Sequence, residues 1–291
     1  MPITADTAAP SRSVLDAYCV MGNPVEHSRS PWIHARFAEL TGQAVRYTRQ
    51  LVPLESFVAH VQAFRAAGGR GCNVTVPFKL EAAALADRLS PRAALAGASN
   101  VLHFVEGQIE ADNSDGVGLV HDITVNAGFD LKGRDVLLIG AGGAAAGVLG
   151  PLLECQPRRI AVANRTLSKA QALVSTHQAL AALQQVELNA HDLSQLRSPF
   201  DLIVNATASS LTGGNIPVSA TCLHPGSLAL DIMYGPAAQG FMAWASEHGA
   251  QARDGLGMLV EQAAQAFALW RGVRPPSAQV LTELRAVLSK P

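Results

Sequence analysis

The sequence predicts an α/β protein of two lobes, each built by alternating strands and helices. Three observations predict it. One is the stretch Asp135-Val136-Leu137-Leu138-Ile139-Gly140-Ala141-Gly142-Gly143-Ala144-Ala145-Ala146-Gly147, where an apolar run meets a glycine-rich turn and then an alanine-rich helical segment. Another is that apolar runs alternate with segments of helical period on both sides of that stretch. The last is size: 291 residues at 48% hydrophobic content suffice for two ordinary cores.

In chain order, Met1–Arg12 is small and polar, with no charged start followed by an apolar core, and reads as a frayed tail rather than a signal. Val14–Val20 is a first strand, broken by Gly22-Asn23-Pro24. Ser30-Pro31 opens a helix, with serine as N-cap and proline at the first helical position. Ile33, Phe37 and Leu40 give it a buried face, and Gly42 lies just past its end. Val45–Leu51 is a second strand. Leu54, Phe57, Val58, Val61 and Phe64 recur at helical spacing until Gly68-Gly69. Cys72–Phe78 reads as a strand, Lys79–Leu89 as a helix, and Ser99–Glu106 with Gln108–Asp112 as a hairpin turning at Gly107. Asp115–Ala127 is a connecting helix capped at Asn113 or Ser114.

The second unit has strands at Asp135–Ile139, Arg159–Ala163, Val186–Leu188, Asp201–Asn205 and Leu228–Ile232. Its helices are Ala144–Glu154, Ser168–Leu183 and Phe241–His248. Such a pattern is a doubly wound sheet with ligands at the carboxyl ends of its strands. Gly255–Arg271 follows as a late helix with Leu259, Ala263, Ala266 and Trp270 on one face. Pro275-Pro276 separates it from Ala278–Leu288. No internal repeat or low-complexity linker occurs, so the cleft between close-packed lobes is the default site.

The glycine-rich turn has the GxGxxA form of a dinucleotide-binding unit. Gly140 permits the turn, Gly142 lets a pyrophosphate approach the backbone, and Ala145 allows close packing of helix on strand. The N–H groups at the helix start then face phosphate. A bare βα turn without ligand is the minor alternative.

Composition excludes other classes. A net charge of −1 and few aromatics give no nucleic-acid surface. Cys19, Cys72, Cys155 and Cys222 form no CxxC pair and read as reduced thiols of a cytoplasmic protein. Nine histidines without HExxH-type spacing argue against a metal. No apolar run reaches the roughly 20 residues of a membrane span.

Two polar knots interrupt the apolar pattern of the first lobe: Asn73, Thr75 and Lys79 around a strand end, and Asp112-Asn113-Ser114-Asp115-Gly116 at a helix start. Taken singly, each is a solvated strand end or an N-cap. Together with other segments they resemble the shikimate dehydrogenase family. The segments are Gly22-Asn23-Pro24-Val25-Glu26-His27-Ser28-Arg29-Ser30-Pro31, Asn73-Val74-Thr75-Val76-Pro77-Phe78-Lys79, Gly97-Ala98-Ser99-Asn100, the acidic knot, the glycine loop, Asn164-Arg165-Thr166, and Asp254-Gly255-Leu256-Gly257-Met258-Leu259-Val260-Glu261-Gln262. They occur in that order from about Tyr18 to Arg271.

The resemblance implies reversible NADPH-dependent reduction of 3-dehydroshikimate to shikimate, in aromatic amino-acid biosynthesis. It implies a substrate domain at 1–115 with 256–291, and a Rossmann-type NADP-binding domain at 116–255. Lys79 is then the acid/base and Asp115 its partner, with Lys79 moving the proton itself or polarising the carbonyl oxygen. Ser28 and Ser30 hold the substrate carboxylate, with Tyr234 beside them. Asn73, Thr75, Asn100, Asp115 and Gln262 bond the ring hydroxyls. Gly140, Ala141, Gly142, Gly143 and Ala144 hold the cofactor's pyrophosphate, and Ile232, Gly255 and Met258 lie near its nicotinamide. Met258 and Gln262, four apart, share one helical face.

Cofactor choice follows from charge. An NAD-specific unit places an acid about 20 residues past the glycine loop. Here Asn164-Arg165-Thr166 and then Lys169 supply cations instead, suited to the 2′-phosphate of NADP. The chain departs from the family pattern at Ala146, where arginine is common, and at Gln239-Gly240, Val101 and Ala35. A dual quinate/shikimate enzyme is the near alternative. A ligand-sensing protein without turnover is another class, disfavoured by the presence of both Lys79 and Asp115; a folate-linked dehydrogenase ranks low. The sequence leaves monomer or homodimer open.

Overall fold

The computed structural model describes residues 15–207 and 218–289. The expected tail at Met1–Arg12 lies outside the described residues. The chain forms two six-stranded sheets. The first is built from β1 (Asp16–Gly22), β2 (Val45–Leu51), β3 (Gly69–Val74), β4 (Arg88–Leu89), β5 (Val101–Val105) and β6 (Gln108–Asp112), in the order β2-β1-β3-β5-β6-β4. β1 pairs in parallel with β2 and β3, whereas β5 runs antiparallel to β3 and β6. The expected hairpin is β5–β6, with Gly107 at φ 81° in its turn.

Helix α1 (Ser30–Thr41) ends on Gly42 at φ 65°, as the sequence predicts, but it does not start as predicted. Ser30 is already inside the helix, Arg29 takes the N-cap position, and no side chain caps it. The Ser30 side chain is instead buried, and its backbone N–H donates to Ser28 Oγ. Helix α2 (Phe57–Ala66) replaces the longer segment expected from Leu54, because Pro53 and the turn after it delay the start. Strand β3 stops at Val74, short of the expected Phe78, because a turn follows in which the Phe78 N–H donates to the Thr75 carbonyl at 3.1 Å. The helix expected to reach Leu89 is α3 (Lys79–Leu85), followed by β4 and then α4 (Pro91–Ala96). Apolar period misses these pieces because they are only two and six residues long.

The second sheet is wholly parallel: β7 (Asp135–Ile139), β8 (Arg159–Asn164), β9 (Glu187–Asp192), β10 (Leu202–Asn205), β11 (Leu228–Asp231) and β12 (Gln251–Arg253), in the order β12-β11-β10-β7-β8-β9. Read from the other edge, this is the doubly wound 3-2-1-4-5-6 order, whose switch point lies between β7 and β10. Helices α6 (Gly143–Glu154) and α7 (Leu167–Leu183) lie with α5 (Asp115–His121) on the face carrying Val136, Leu138, Leu149 and Leu152. Helix α8 (Gln239–Glu247) covers the other, with Phe200, Ile203 and Phe241 in its core. Strand β12 escaped the sequence reading because its three residues carry too little apolar pattern.

The lobes join through α5, which continues as a π-helical turn at Asp122–Asn126, and α9 (Leu256–Arg271). With α10 (Ser277–Leu288), α9 returns to the first lobe, where Ile33 and Phe37 of α1 meet Phe267 and Leu284. The two crossing elements touch backbone to backbone. A Cβ on Gly118 would lie 2.6 Å from the Gln262 nitrogen. Between them lie two carboxylates with fully buried side chains. Asp122 accepts from Arg253 at 2.8 Å, and Glu261 accepts from Arg274 at 2.9 Å. Buried charge at this density is tolerated only when so paired.

Candidate active site

The cleft holds a cavity of about 300 Å³ at the carboxyl ends of β1 and β3 in one lobe and β11 in the other. The residues expected at the substrate all line it: Ser28, Ser30, Asn73, Thr75, Lys79, Asn100, Asp115, Tyr234 and Gln262. Ile232, Gly255 and Met258, expected near a nicotinamide, line the same cavity from the second lobe and α9. The chain contributes these residues from segments far apart in sequence, and each arrives by a local device. Lys79 is the first residue of α3 and Asp115 the first of α5.

Lys79 Nζ donates to Asp115 Oδ2 at 2.5 Å. The lysine side chain is 21% exposed and the aspartate 9%, so the pair sits at the cavity wall rather than in bulk solvent. The other carboxylate oxygen, Oδ1, accepts from Asn100 Nδ2 at 2.7 Å. Asn100 is fixed in turn by the Ser114 backbone N–H, which donates to its Oδ1 at 2.8 Å. Its backbone carbonyl accepts from Asn73 Nδ2 at 3.2 Å, and Gln262 Oε1 stands 3.3 Å from its Nδ2. Asn73, Asn100, Asp115 and Gln262 are all buried, so each amide is held in one orientation before any ligand arrives. Gln262 also donates to the Leu259 carbonyl at 2.7 Å, within α9 itself.

At the opposite wall the loop before α1 carries the serines. Ser28 Oγ accepts the Ser30 backbone N–H at 3.3 Å. Arg49 of β2 clamps this loop, donating through Nε and Nη2 to the Ser28 carbonyl at 2.9 and 2.6 Å. Asn23 Nδ2 holds the loop's start on the Val52 carbonyl at 3.0 Å. Arg29 lines the cavity beside Ser28 and Ser30 and adds a second cation to its wall. Burial pushes the Tyr234 phenol up from its ordinary pKa, against the opposing field of Arg29. The sequence reading missed Arg29 and Arg49; the only signal was that Arg29 stands between the two serines.

The glycine loop lies at the switch point. Gly140 has φ 113°, and a Cβ there would come within 3.0 Å of the Ala206 carbonyl oxygen, so glycine is required on both counts. Ala141 follows, and among the described residues no non-local atom lies within 4 Å of where a Cβ would stand on Gly142 or Gly143. That leaves open space in front of the α6 N-terminus, where Gly143 and Ala144 present backbone N–H groups. Ala145 is fully buried against the sheet. Beyond β8, Asn164 Nδ2 donates to the Thr166 carbonyl at 2.9 Å and shapes the turn. Arg165 and Lys169 are exposed and have no ion-pair partner among the described residues. An open glycine cradle at a helix start, with two unpaired cations at the next strand end, fits a phosphate-rich dinucleotide.

Comparison with known proteins agrees with this arrangement. Residues 20–102 match the model of the shikimate dehydrogenase substrate binding domain, 123–213 that of shikimate / quinate 5-dehydrogenase, and 255–285 that of the shikimate 5′-dehydrogenase C-terminal domain. A shikimate dehydrogenase (NADP(+)) of Acidovorax sp. (strain JS42) is 68% identical over 94% of this chain and 97% of its own. The crystal structure of an Ael1 enzyme from Pseudomonas putida superimposes with a TM-score of 0.86 at 45% identity, covering 92% of this chain and 98% of that one. Shikimate 5-dehydrogenase from Thermus thermophilus, solved with NADP(H) and shikimate, gives a TM-score of 0.82 at 32% identity, covering 94% and 99%. With matches along nearly its whole length, this chain belongs to the shikimate dehydrogenase family.

Proposed function

We propose that this chain catalyses the reversible NADPH-dependent reduction of 3-dehydroshikimate to shikimate, the dehydrogenase step of aromatic amino-acid biosynthesis, in the cytoplasm. The observation that carries the reading is the Lys79–Asp115 ion pair on the wall of a cavity whose other polar groups are amides and hydroxyls. Reduction of a ketone needs a hydride on carbon and a proton on oxygen, and NADPH supplies the hydride. Lys79 supplies or stabilises the proton at the ketone oxygen, and in oxidation takes it from the hydroxyl. Asp115 holds the ammonium in place, and Asn100 holds Asp115.

Ser28 and Ser30 donate to the substrate carboxylate, and Tyr234 closes that end. Arg29 adds charge attraction to it. Asn73, Thr75, Asn100, Asp115 and Gln262 pair with ring hydroxyls. Because most of these groups are buried, an analogue lacking a hydroxyl would leave one unpaired, which is a strong basis for rejection. Residues 1–115 with 256–291 form the substrate domain, and 116–255 the cofactor domain. Gly140, Ala141, Gly142, Gly143 and Ala144 cradle the pyrophosphate. Asn164, Arg165, Thr166 and Lys169 receive the 2′-phosphate. Ile232, Gly255 and Met258 shape the wall where the nicotinamide meets the substrate.

Shikimate oxidation, followed as NADPH absorbance, tests the proposal with quinate and NAD as controls. The expected result is shikimate-dependent NADP reduction, with kcat/KM for NAD and for quinate far lower. Absence of shikimate turnover defeats the reaction assignment. Equal efficiency with NAD defeats the assignment of Arg165 and Lys169.

A further inference from the structure

Behind the cavity, away from the ligand side, two side chains from separate elements stack on each other. His34 of α1 is fully buried, and neither ring nitrogen has a hydrogen-bond partner of normal geometry. Its ring lies flat on that of Tyr47 from β2, with centroids 4.1 Å apart and an interplanar angle of 3°. The edge of Phe37 and the rings of Phe267 and Trp270 enclose it. A polar ring thus spends its burial on holding a neighbour, and that neighbour reaches the site. Tyr47 Oη donates to Asn73 Oδ1 at 2.7 Å.

This bond removes an ambiguity. An asparagine amide can turn over, presenting either donor or acceptor. The Asn100 carbonyl can only accept, so it selects Asn73 Nδ2, and the Tyr47 O–H then meets Oδ1. Burial drives the Tyr47 phenol well above its ordinary pKa, so the hydroxyl stays a donor at any working pH. Asn73 is left with one N–H for a ligand, in one fixed sense.

We propose that Tyr47, clamped by His34, is a positioning residue that locks the Asn73 amide in the orientation the Asn100 carbonyl selects, and so supports the recognition of a substrate ring hydroxyl. This rests on the assignment of Asn73 to the substrate site. The action is on substrate affinity and not on the proton, because Lys79 and Asp115 are held by Asn100 through its side chain, whereas Asn73 touches only its backbone carbonyl.

The test is a double-mutant cycle on shikimate oxidation with Tyr47→Phe, Asn73→Ala and the pair. Phe keeps the ring against His34 and removes only the hydroxyl. Tyr47→Phe should raise KM for shikimate roughly 3- to 30-fold, the worth of one to two hydrogen bonds. KM for NADP should stay unchanged, and kcat should fall much less than KM rises. In the Asn73→Ala background the same change should add nothing further. An unchanged KM in Tyr47→Phe, or the same multiplication in both backgrounds, overturns the proposal. A general loss of packing would raise both KM values and lower the melting temperature, and so is told apart. If Tyr47→Phe fails to fold, deletion of the hydroxyl has acted on the whole lobe and the positioning role is rejected. If Asn73→Ala itself leaves KM for shikimate untouched, the assignment of Asn73 to the site has failed rather than the role of Tyr47.

Discussion

Lys79 and Asp115 are 36 residues apart and meet at 2.5 Å because α3 and α5 both begin at the cavity. Replacing Lys79 by Ala removes the proposed acid/base group and leaves the neighbouring amides in place. It should lower kcat by about 10²- to 10⁴-fold, the usual scale of acid/base catalysis, while KM for shikimate changes far less. Steady-state kinetics check this, and a near-normal kcat would remove Lys79 from the chemistry. His34 supports a prediction of a different kind. Burial depresses its pKa from 6.5 to about 3, only partly opposed by the nearby Asn73 side chain. The unfolded chain therefore binds the proton more readily over that interval, and the ring's stabilising contribution is complete above 6.5 and is lost as pH falls toward 3. Between about pH 7 and about pH 5 this one ring should account for about 2 kcal/mol of lost stability. Denaturant melts of wild type and His34→Phe at the two pH values should differ in acid sensitivity by that amount, and equal slopes would refute it.

The α5–α9 crossing was only half legible at the level of elements. Helical period located both helices, and Met258 and Gln262 were placed on one face. What the period did not reveal is how closely the two helices approach. Gly118 reads as one more small residue in a helix, yet a Cβ there would stand 2.6 Å from the Gln262 nitrogen and 2.7 Å from its Cβ. Since the obstacle is largely backbone, α9 must shift to admit it. Gly118→Ala should cost about 1–3 kcal/mol, the scale of overpacking, and should raise KM for shikimate because Gln262 moves with α9. Thermal melting and kinetics on the same variant check the two effects; a variant of wild-type stability and KM would show that the helices slide freely. The buried ions Asp122 and Glu261 were also unread. An acidic residue on a helix is usually solvated, and only the arrival of Arg253 and Arg274 from distant positions makes their burial tolerable.

Across the whole molecule, the two sheets flank a cleft spanned by α5 and α9. Ile232 at the end of β11 and Gly255 and Met258 of α9 line this cleft together. The lobes should close when both ligands bind. Small-angle scattering of the free protein and of its complex with NADP and shikimate should show a smaller radius of gyration for the complex. Identical profiles would mean that the cleft is already set for catalysis.

Legible in the linear chain are the alternating α/β order, the glycine loop with the cations Arg165 and Lys169 after the next strand, and the residues that line the cavity. These depend on local period, on backbone requirements such as the positive φ of Gly140, and on motifs a few residues long. Only the tertiary structure decided what those residues do to one another. It left Ser30 without a capping role, made Asn100 the junction between Asp115 and Asn73, and set Tyr47 behind Asn73 on a buried histidine. Such contacts depend on the register of strands and the crossing of helices. A linear sequence fixes each partner's chemistry, but the distance between partners is settled only when the cores on both sides have packed.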